Sequence, residues 1–224
     1  WAKYDPDEIV LLPLYPHFSS TTTGSSIKNW HKSLKKSKNP LVKSKLRHVP
    51  QHIIRQYYDH KKFIAAHCDI IKRTIDDRLK GDNNYRLLFS AHSLPKIIAK
   101  YDPYESHIKA TVEAIVDILK PDDYSLCYQS KVGPLPWLEP STEDAINLAI
   151  QDQTHVVIVP ISFVSEHSET LIELDRDYRF LMAESPVPDL EYVRVETLSL
   201  HPLFIECLAD LTRDIVKYEK FVTK

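Results

Sequence analysis

Short apolar segments of strand length alternate with amphipathic helices along this chain, and this alternation restricts its fold more than any other feature. Residues 156–163 are almost wholly apolar, as a strand that is buried on both faces must be. Residues 64–79 instead repeat their apolar side chains at steps of three and four, which predicts one buried helix face. Strands joined by helices form parallel sheets, so the sequence predicts an α/β protein.

The same reasoning predicts the order of the elements along the chain. We expect strands at residues 8–14, 85–89, 124–128, 156–163 and 190–195. We expect helices at 64–79, 105–119 and 166–183, one opened by a capping box at Ser141 and a last one begun by Pro202. The polar segment 19–26 is expected to be a loop able to cap a helix. Gly133 is expected to provide a special turn angle, and for Gly24 a special angle and an ordinary turn both stay open.

The size and charge of the chain set broad limits on its class. Its 224 residues are 43% hydrophobic, enough for a sizeable core, so we expect a globular protein. The net charge of -2 lacks the basic surplus of a nucleic-acid-binding protein, and no apolar stretch approaches the ~20 residues of a membrane-spanning helix. With three glycines in all, the chain cannot form a glycine-rich phosphate-binding loop.

The cysteines indicate a reducing compartment. Cys68, Cys127 and Cys207 are odd in number, widely spaced and set in apolar surroundings. This pattern is typical of reduced core thiols, and it does not favour disulfides or a metal cluster.

Polar residues suited to chemistry follow several of the predicted strands. His92, Trp137 and Glu169 each lie just beyond a strand or in the loop that follows it. Because the carboxyl ends of parallel strands meet at one edge of a sheet, active groups cluster there. The sequence therefore predicts a site at this edge.

These segments together resemble the ferrochelatase family over essentially the whole chain. The motifs that carry the resemblance are FSAHSLP at 89–95, QSKVGPLPWL at 129–138, SEHSETL at 165–171, PLYP at 13–16 and TGSS at 23–26. The proline-rich loop at 129–138 resembles the protoporphyrin-using members more than those that use coproporphyrin.

The resemblance implies two Rossmann-like domains with parallel sheets, of which the first is incomplete in this chain. Residues 1–30 and 196–224 would form the remainder of the first domain with a returning C-terminal helix, and residues 31–195 the second domain. The only methionine is Met182, so we expect that a segment upstream of Trp1 is missing, which in the family supplies one wall of the porphyrin cleft.

The activity that the resemblance implies is the insertion of Fe²⁺ into protoporphyrin IX to form protohaem, the terminal step of haem biosynthesis, by a lyase. It implies a protein of the bacterial cytoplasm, with or without peripheral contact to the inner face of the membrane, or of the matrix side of mitochondria. Iron is then a substrate, and monomer and homodimer both stay open. The family's iron-sulfur cluster needs several close cysteines, and because none follows Cys207 we expect no cluster.

The site residues follow from the motifs. His92 matches the family's active-site histidine, and Glu169 its catalytic acid, so both are predicted to be catalytic and to contact the metal. Glu173 and Asp177 continue Glu169 at steps of four and would form an acidic ridge on one helix face, a conduit for metal or protons. Aspartate at 177 is shorter than the glutamate common in the family. Sequence leaves open whether His92 or Glu169 accepts the pyrrole protons.

Substrate contacts are predicted on two segments. The indole of Trp137 is suited to stack on a flat macrocycle, although a tryptophan packed in the core is the alternative. Ser130 and His167 lie in the family motifs beside the catalytic residues and are predicted to contact the porphyrin.

Other interpretations stay open at this stage. A chelatase of the same architecture could act on a sirohydrochlorin-type ring with cobalt or iron, although the Trp137 loop argues against it. A porphyrin-binding protein without catalysis is a third interpretation, which the presence of both His92 and Glu169 disfavours. The lysine-rich residues 28–47 are either a solvated crossing between domains or a contact for anionic lipid head groups.

Four histidines suggest a second metal site. His48, His52, His60 and His67 include a pair four residues apart. Because Lys61 flanks them with charge, we favour a surface helix over a metal site.

Overall fold

The computed structural model of the chain describes residue 4 and residues 6–40, 42, 46 and 48–222. Its strands are β1 (Ile9–Leu11), β2 (Gln51–Ile53), β3 (Tyr85–His92), β4 (Tyr124–Gln129), β5 (His155–Pro160) and β6 (Tyr192–Arg194). Its α-helices are α1 (Ser25–Lys36), α2 (Lys61–Leu79), α3 (Lys96–Ala99), α4 (Tyr104–Leu119), α5 (Thr142–Gln151), α6 (Tyr178–Ala183) and α7 (Pro202–Val222). The π-helical segments described in full are Ser20–Gly24 and Glu169–Asp177.

The strands described pair in parallel and form two sheets. The larger sheet has the order β4-β3-β5-β6, and β1 pairs with β2 in the smaller one. This confirms the predicted α/β class with parallel sheets. The pairing of β1 with β2 joins residues on either side of the predicted boundary at 30/31, and α7 packs against α2. The division into residues 1–30 with 196–224 and 31–195 stays a prediction.

The central strands are apolar because both faces of the larger sheet are covered. Leu87 and Phe89 of β3 face a core shared with α2, α4 and α7, whereas Leu88 faces a second core with α5 and α6. Leu87, Leu88 and Phe89 are all fully buried. This two-sided burial accounts for the continuous apolar runs that the sequence shows.

The ends of the helices follow local sequence signals. Lys80, after α2, has a φ of 50° and the next residue, Gly81, a φ of 94°, so both take the left-handed conformation that ends a helix. Ser141 caps α5, and Asp144 completes the predicted capping box. Gly133 also has a positive φ, of 74°, as expected. Gly24 has a φ of -60° in a helical turn, so of the two alternatives left open there the ordinary turn is the one found.

The N-terminal third of the chain differs most from the prediction. Residues 20–36 are helical rather than a loop and crossing, because Ser19 caps the first turn and Leu34 is buried against Ile9. The strand β2 escaped prediction because it is short and half polar. Trp1, Lys43, Lys45 and Arg47 lie outside the described residues.

The remaining differences concern the two segments that carry His92 and Glu169. Strand β3 continues to His92, which ends the strand rather than following it. The predicted helix 166–183 consists of the π-helical Glu169–Asp177 and the short α6. Among the described residues, no helix combines the length and the apolar character that crossing a membrane demands.

Candidate active site

A cavity of about 390 Å³ lies at the carboxyl edge of the larger sheet, a volume within the range of small-molecule sites. Four parts of the chain contribute to it. They are residues 14–22, the end of β3, the start of α4 and residues 162–169, which follow β5. The lining residues are Leu14, Tyr15, Pro16, His17, Thr22, His92, Tyr104, Ser162, Phe163, Val164, Ser165, His167 and Glu169. Of the predicted site residues, His92, His167 and Glu169 therefore meet in one cavity.

The hydrogen bonds of His92 determine which ring nitrogen is free. Its Nδ1 lies 2.6 Å from the carbonyl oxygen of Ser93, which can only accept a hydrogen bond, so Nδ1 carries a hydrogen. The backbone N–H of His92 donates to Oγ of Ser162 at 2.9 Å, and its carbonyl accepts from the hydroxyl of Tyr104 at 3.0 Å. In the neutral ring, Nε2 is thus an unprotonated base held in a fixed direction.

Nε2 of His92 faces the carboxylate of Glu169 at 3.4 Å from Oε2. A neutral Nε2 and an ionised carboxylate are both acceptors, so their approach favours a proton or a cation between them. When ligands surround a metal ion tetrahedrally at about 2.1 Å, two neighbouring ligand atoms are about 3.4 Å apart. The pair is therefore spaced to share a proton or to bind one ion.

Glu173 lies behind this pair and is held by residues at the end of β4. The hydroxyl of Ser130 lies 2.9 and 2.8 Å from Oε1 and Oε2 of Glu173, and donates to that carboxylate. The amide of Gln129 lies 3.2 Å from Oε2 of Glu173 and also 3.2 Å from the carbonyl oxygen of Glu169. Ser130 has a φ of 65°, a left-handed conformation that turns its side chain towards the carboxylates.

Gln129 is a residue that the sequence analysis did not select. Its side chain is 1% exposed, and its Oε1 accepts a hydrogen bond from Ser90 at 2.9 Å. It therefore connects β3, β4 and the segment that carries Glu169. Its place at the start of the motif at 129–138 does not reveal this role, because its burial and its contacts are visible only in the structure.

Asp177 does not lie with the other acidic residues. Its carboxylate pairs with Arg176 at 2.7 Å, both side chains are exposed, and Asp177 contributes to a separate surface depression. The predicted ridge thus divides into Glu169 and Glu173 on the site and Asp177 at the surface. In the part of the chain that the structure describes, no group of three or more His, Cys, Asp or Glu side chains has metal-binding geometry.

Trp137 lies beside the cavity lining rather than in it. It forms an isolated bridge with Pro95, and the backbone of Leu138 bonds to Leu94 at 3.0 Å, which fastens the loop to the segment after β3. The indole N–H is buried and has no partner among the described residues. Its contact with a macrocycle stays a prediction.

Aromatic rings form one side of the cavity. His167 stacks on Phe163 with ring centroids 5.8 Å apart, and Phe163 lies 6.5 Å from His92. Tyr104 packs edge-on against His17 at 6.2 Å. Neither Phe163 nor Tyr104 was predicted from the sequence. Phe163 ends the predicted strand 156–163, which is a recognisable signal, whereas Tyr104 is the first residue of α4 and has none.

His17 is a buried histidine in the cavity wall. Its Nε2 lies 3.0 Å from the hydroxyl of Thr111, which is itself 2.9 and 3.1 Å from two carbonyl oxygens. Since the hydroxyl has one hydrogen to give to a carbonyl, it accepts from Nε2 of His17. Burial, reinforced by the nearby His67 and His107, lowers the pKa of His17 well below its usual range. This part of the wall is therefore uncharged.

The four histidines considered as a second metal site are dispersed. His52 pairs with Glu8 at 2.9 Å, the ring of His60 caps α2, and His67 is buried against Phe63. The expected surface helix is wrong for His67, which is 3% exposed. The cysteines are buried and free, and burial raises the pKa of Cys68 to about 11 and of Cys127 and Cys207 to about 12.

Comparison of the sequence with known proteins gives consistent results. A family model described as Ferrochelatase matches residues 1–215. The ferrochelatase of Wolbachia sp. subsp. Drosophila simulans is 50% identical over 212 residues, which cover 93% of this chain and 63% of that protein. The ferrochelatase of Rickettsia conorii is 46% identical over 212 residues, covering 93% and 56%. The chain spans less than two thirds of the length of these relatives.

Comparison with solved structures supports the fold. The chelatase SirB from Bacillus subtilis with Fe³⁺ superposes with a TM-score of 0.63 at 13% identity, over 95% of this chain and 73% of that one. SirB in complex with cobalt, described as a sirohydrochlorin chelatase, gives a TM-score of 0.62 at 10% identity. At this identity the likeness concerns the architecture alone.

Proposed function

Since the chain belongs to the ferrochelatase family, we propose that it inserts Fe²⁺ into protoporphyrin IX to form protohaem, the terminal step of haem biosynthesis. The observation that carries the proposal is the pair of His92 and Glu169, whose side-chain atoms face each other at 3.4 Å in a cavity with an aromatic side. A base, a carboxylate and a ring-binding surface are the groups that metal insertion requires.

The reaction exchanges two pyrrole N–H protons for one dication, so a base must lie close to the ring nitrogens. In our proposal, Nε2 of His92 accepts the two protons one after the other, because its tautomer leaves this nitrogen unprotonated. The side chain is 39% exposed, so it can release the first proton to water before it takes the second. The carboxylate of Glu169 stabilises the imidazolium that forms and provides an oxygen ligand for the entering ion. Phe163 and His167 provide flat surfaces for the porphyrin.

Glu173 extends the carboxylate path away from His92. Ser130 and Gln129 hold its side chain, so an ion that enters towards Glu169, or a proton that leaves it, meets a fixed second carboxylate. In our proposal the path ends at Glu173, because Asp177 is paired with Arg176 at the surface. In the proposal, Trp137 contacts the edge of the macrocycle from the neighbouring loop.

A direct assay tests the proposal. The full-length protein is incubated anaerobically with protoporphyrin IX and Fe²⁺, or with Zn²⁺, and the loss of porphyrin fluorescence is followed. We expect multiple turnovers, and a higher kcat/KM for protoporphyrin than for coproporphyrin or sirohydrochlorin. Stoichiometric porphyrin binding without turnover would instead identify a binding protein, and preference for sirohydrochlorin would identify a different chelatase.

We also propose that α1 contacts anionic lipid head groups, at the inner face of a bacterial membrane. Residues 9–58 contain nine Lys and Arg and no Asp or Glu. Lys28, Lys32 and Lys36, spaced by four, are exposed on one side of α1. A basic surface of this kind is attracted by about 1 kcal/mol per Lys or Arg near an anionic bilayer.

Sedimentation with vesicles tests this contact. We expect the protein to bind phosphatidylglycerol vesicles but not phosphatidylcholine vesicles, with binding weakened by salt. Lys28→Glu combined with Lys32→Glu should remove binding. The control replaces Lys72 and Lys80, exposed on and after α2, in the same way and should bind like the wild type. Equal loss in both pairs would point to net charge rather than to α1.

A further inference from the structure

The segment that carries Glu169 and Glu173 needs support from outside, because it is π-helical. A π-helix is rare, and such irregular segments persist only where surrounding contacts hold them. At the end of Glu169–Asp177, the backbone N–H of the next residue, Tyr178, donates to the carbonyl of Glu173, five residues before it. Relaxation to an α-helix would shift the register by one residue, a rotation of about 100° that would turn a carboxylate away from His92.

Arg194, the last residue of β6, binds this segment from the edge of the sheet. Its Nε lies 2.5 Å from Oδ1 of Asp175 and its Nη2 lies 2.9 Å from Oδ2, a bidentate ion pair. Its Nη1 lies 3.1 Å from Oε1 of Glu166. The side chain of Arg194 is only 10% exposed. One guanidinium thus joins a residue inside the π-helical segment and a residue before it to the sheet.

Glu166 connects Arg194 to the start of the segment. Its carboxylate accepts hydrogen bonds from the hydroxyl of Thr170 at 2.7 Å and from the backbone N–H of Thr197 at 3.1 Å. Burial alone would raise the pKa of Glu166, but these hydrogen bonds and the charge of Arg194 lower it. Glu166 is therefore ionised at neutral pH, and Thr170, which it holds, is the residue next to Glu169.

We propose that Arg194 is a positioning residue for the carboxylates of the active site. It holds Asp175 and Glu166 together, and so keeps Glu169 in front of His92, although it lies outside the lining of the cavity. The inference rests on the proposed chelatase function, which by itself gives Arg194 no part.

Arg194→Lys is the informative change. Lysine keeps the positive charge, but its single ammonium cannot bind both carboxylate oxygens of Asp175 and reach Glu166 at the same time. We expect kcat for Zn²⁺ insertion to fall about 10- to 100-fold, as when an outer partner of a metal ligand is lost, and the KM for porphyrin to stay unchanged. Arg194→Met should reduce kcat at least as much. Because it leaves two carboxylates without their counter-charge, its fold is first checked by circular dichroism.

Arg86 offers a matched control in the same sheet. Its side chain is 14% exposed and joins Asp123 and Asp152 at 2.7 and 2.9 Å. It lies at the start of β3, at the opposite end of the strands from the site. Arg86→Lys should lower the melting temperature about as much as Arg194→Lys, yet leave kcat unchanged. Equal losses of kcat in the two variants would overturn the inference, because Arg194 would then act through stability alone.

Hydrogen exchange separates this inference from the proposed function. In Arg194→Lys, the amides of residues 166–178 should exchange faster than in the wild type, while those of α5 stay unchanged. Arg86→Lys should leave residues 166–178 as protected as they are in the wild type. This measurement needs no turnover, so an inactive wild type would refute the proposed function alone. Unaltered exchange of residues 166–178 in Arg194→Lys would overturn the positioning role, whatever the activity.

Discussion

His92 and Glu169 face each other across the carboxyl edge of the larger sheet, with Nε2 of the histidine 3.4 Å from Oε2 of the glutamate. His92 ends β3, and Glu169 opens the π-helical segment that follows the neighbouring strand β5. The backbone of His92 is fixed by Ser162, so the histidine and the segment after β5 are also joined directly. A small movement of either element would therefore change the spacing of the pair.

Removing the imidazole should abolish most of the activity without unfolding the protein. We predict that His92→Ala lowers metal insertion at least ~100-fold, the scale for loss of a positioned acid or base. The fold should persist, because the His92 side chain is 39% exposed and contributes little to the core. Initial rates with Zn²⁺ and protoporphyrin measure the first effect and circular dichroism the second. Near wild-type turnover would remove His92 from the mechanism.

The acidic residues should differ in importance along the π-helical segment. We predict a severe loss for Glu169→Gln and a mild one for Asp177→Asn, because only Glu169 lies in the cavity while Asp177 pairs with Arg176 at the surface. Both changes keep the side-chain shape, so each serves as the other's control. The measurements are kcat and the KM for the metal. Similar losses at 169 and 177 would contradict the division of the ridge.

The hydroxyl of Ser130 should hold the carboxylate of Glu173 in position to bind the metal. Its φ of 65° suits glycine, so Ser130→Gly removes the hydroxyl without straining the backbone. A hydrogen bond to a charged group contributes about 1.5–3 kcal/mol, so we predict a roughly tenfold or larger rise in the KM for the metal. The melting temperature should change little, because the relief of the left-handed backbone conformation by glycine offsets part of the lost hydrogen bond. An unchanged KM would show that Glu173 does not take part in metal delivery.

The fold was largely predictable because its central strands are buried on both faces. The continuous apolar runs of β3 and β5 identify them without any long-range information. The strand β2, with the sequence QHI, has no such run, because among the described strands it pairs with β1 alone, and Nε2 of its His52 pairs with Glu8. Its existence depends on a pairing between distant segments that no local pattern reveals.

The site was predictable where it coincides with a motif and not where it depends on contacts between segments. His92, Glu169 and His167 lie in recognisable motifs and meet in the cavity. The partners that hold them do not stand out in the sequence: Gln129 and Arg194 are single polar residues at strand ends. Their importance comes from contacts with the π-helical segment, which was itself expected to be an ordinary helix.

The buried His67 should make folding stability depend on pH. It is 3% exposed, and burial, followed by the charge of His201, lowers its pKa to about 3. In the unfolded chain the imidazole has an ordinary pKa near 6.5. Between these values only the unfolded state binds the proton, so its contribution to stability is intact above pH 6.5 and declines as the pH falls towards 3.

We therefore predict that His67→Phe reduces the loss of unfolding free energy between pH 7 and pH 5 by about 2 kcal/mol, the linkage expected for one such proton. The pKa of His17 is also lowered by burial, so His17 should retain part of the pH dependence of the unfolding free energy in this variant. Urea unfolding at the two pH values measures the effect, and His31→Gln, at an exposed position of α1, is the control, which should behave like the wild type. If His67→Phe lost as much stability on acidification as the wild type, His67 would not be a neutral buried group in the folded protein.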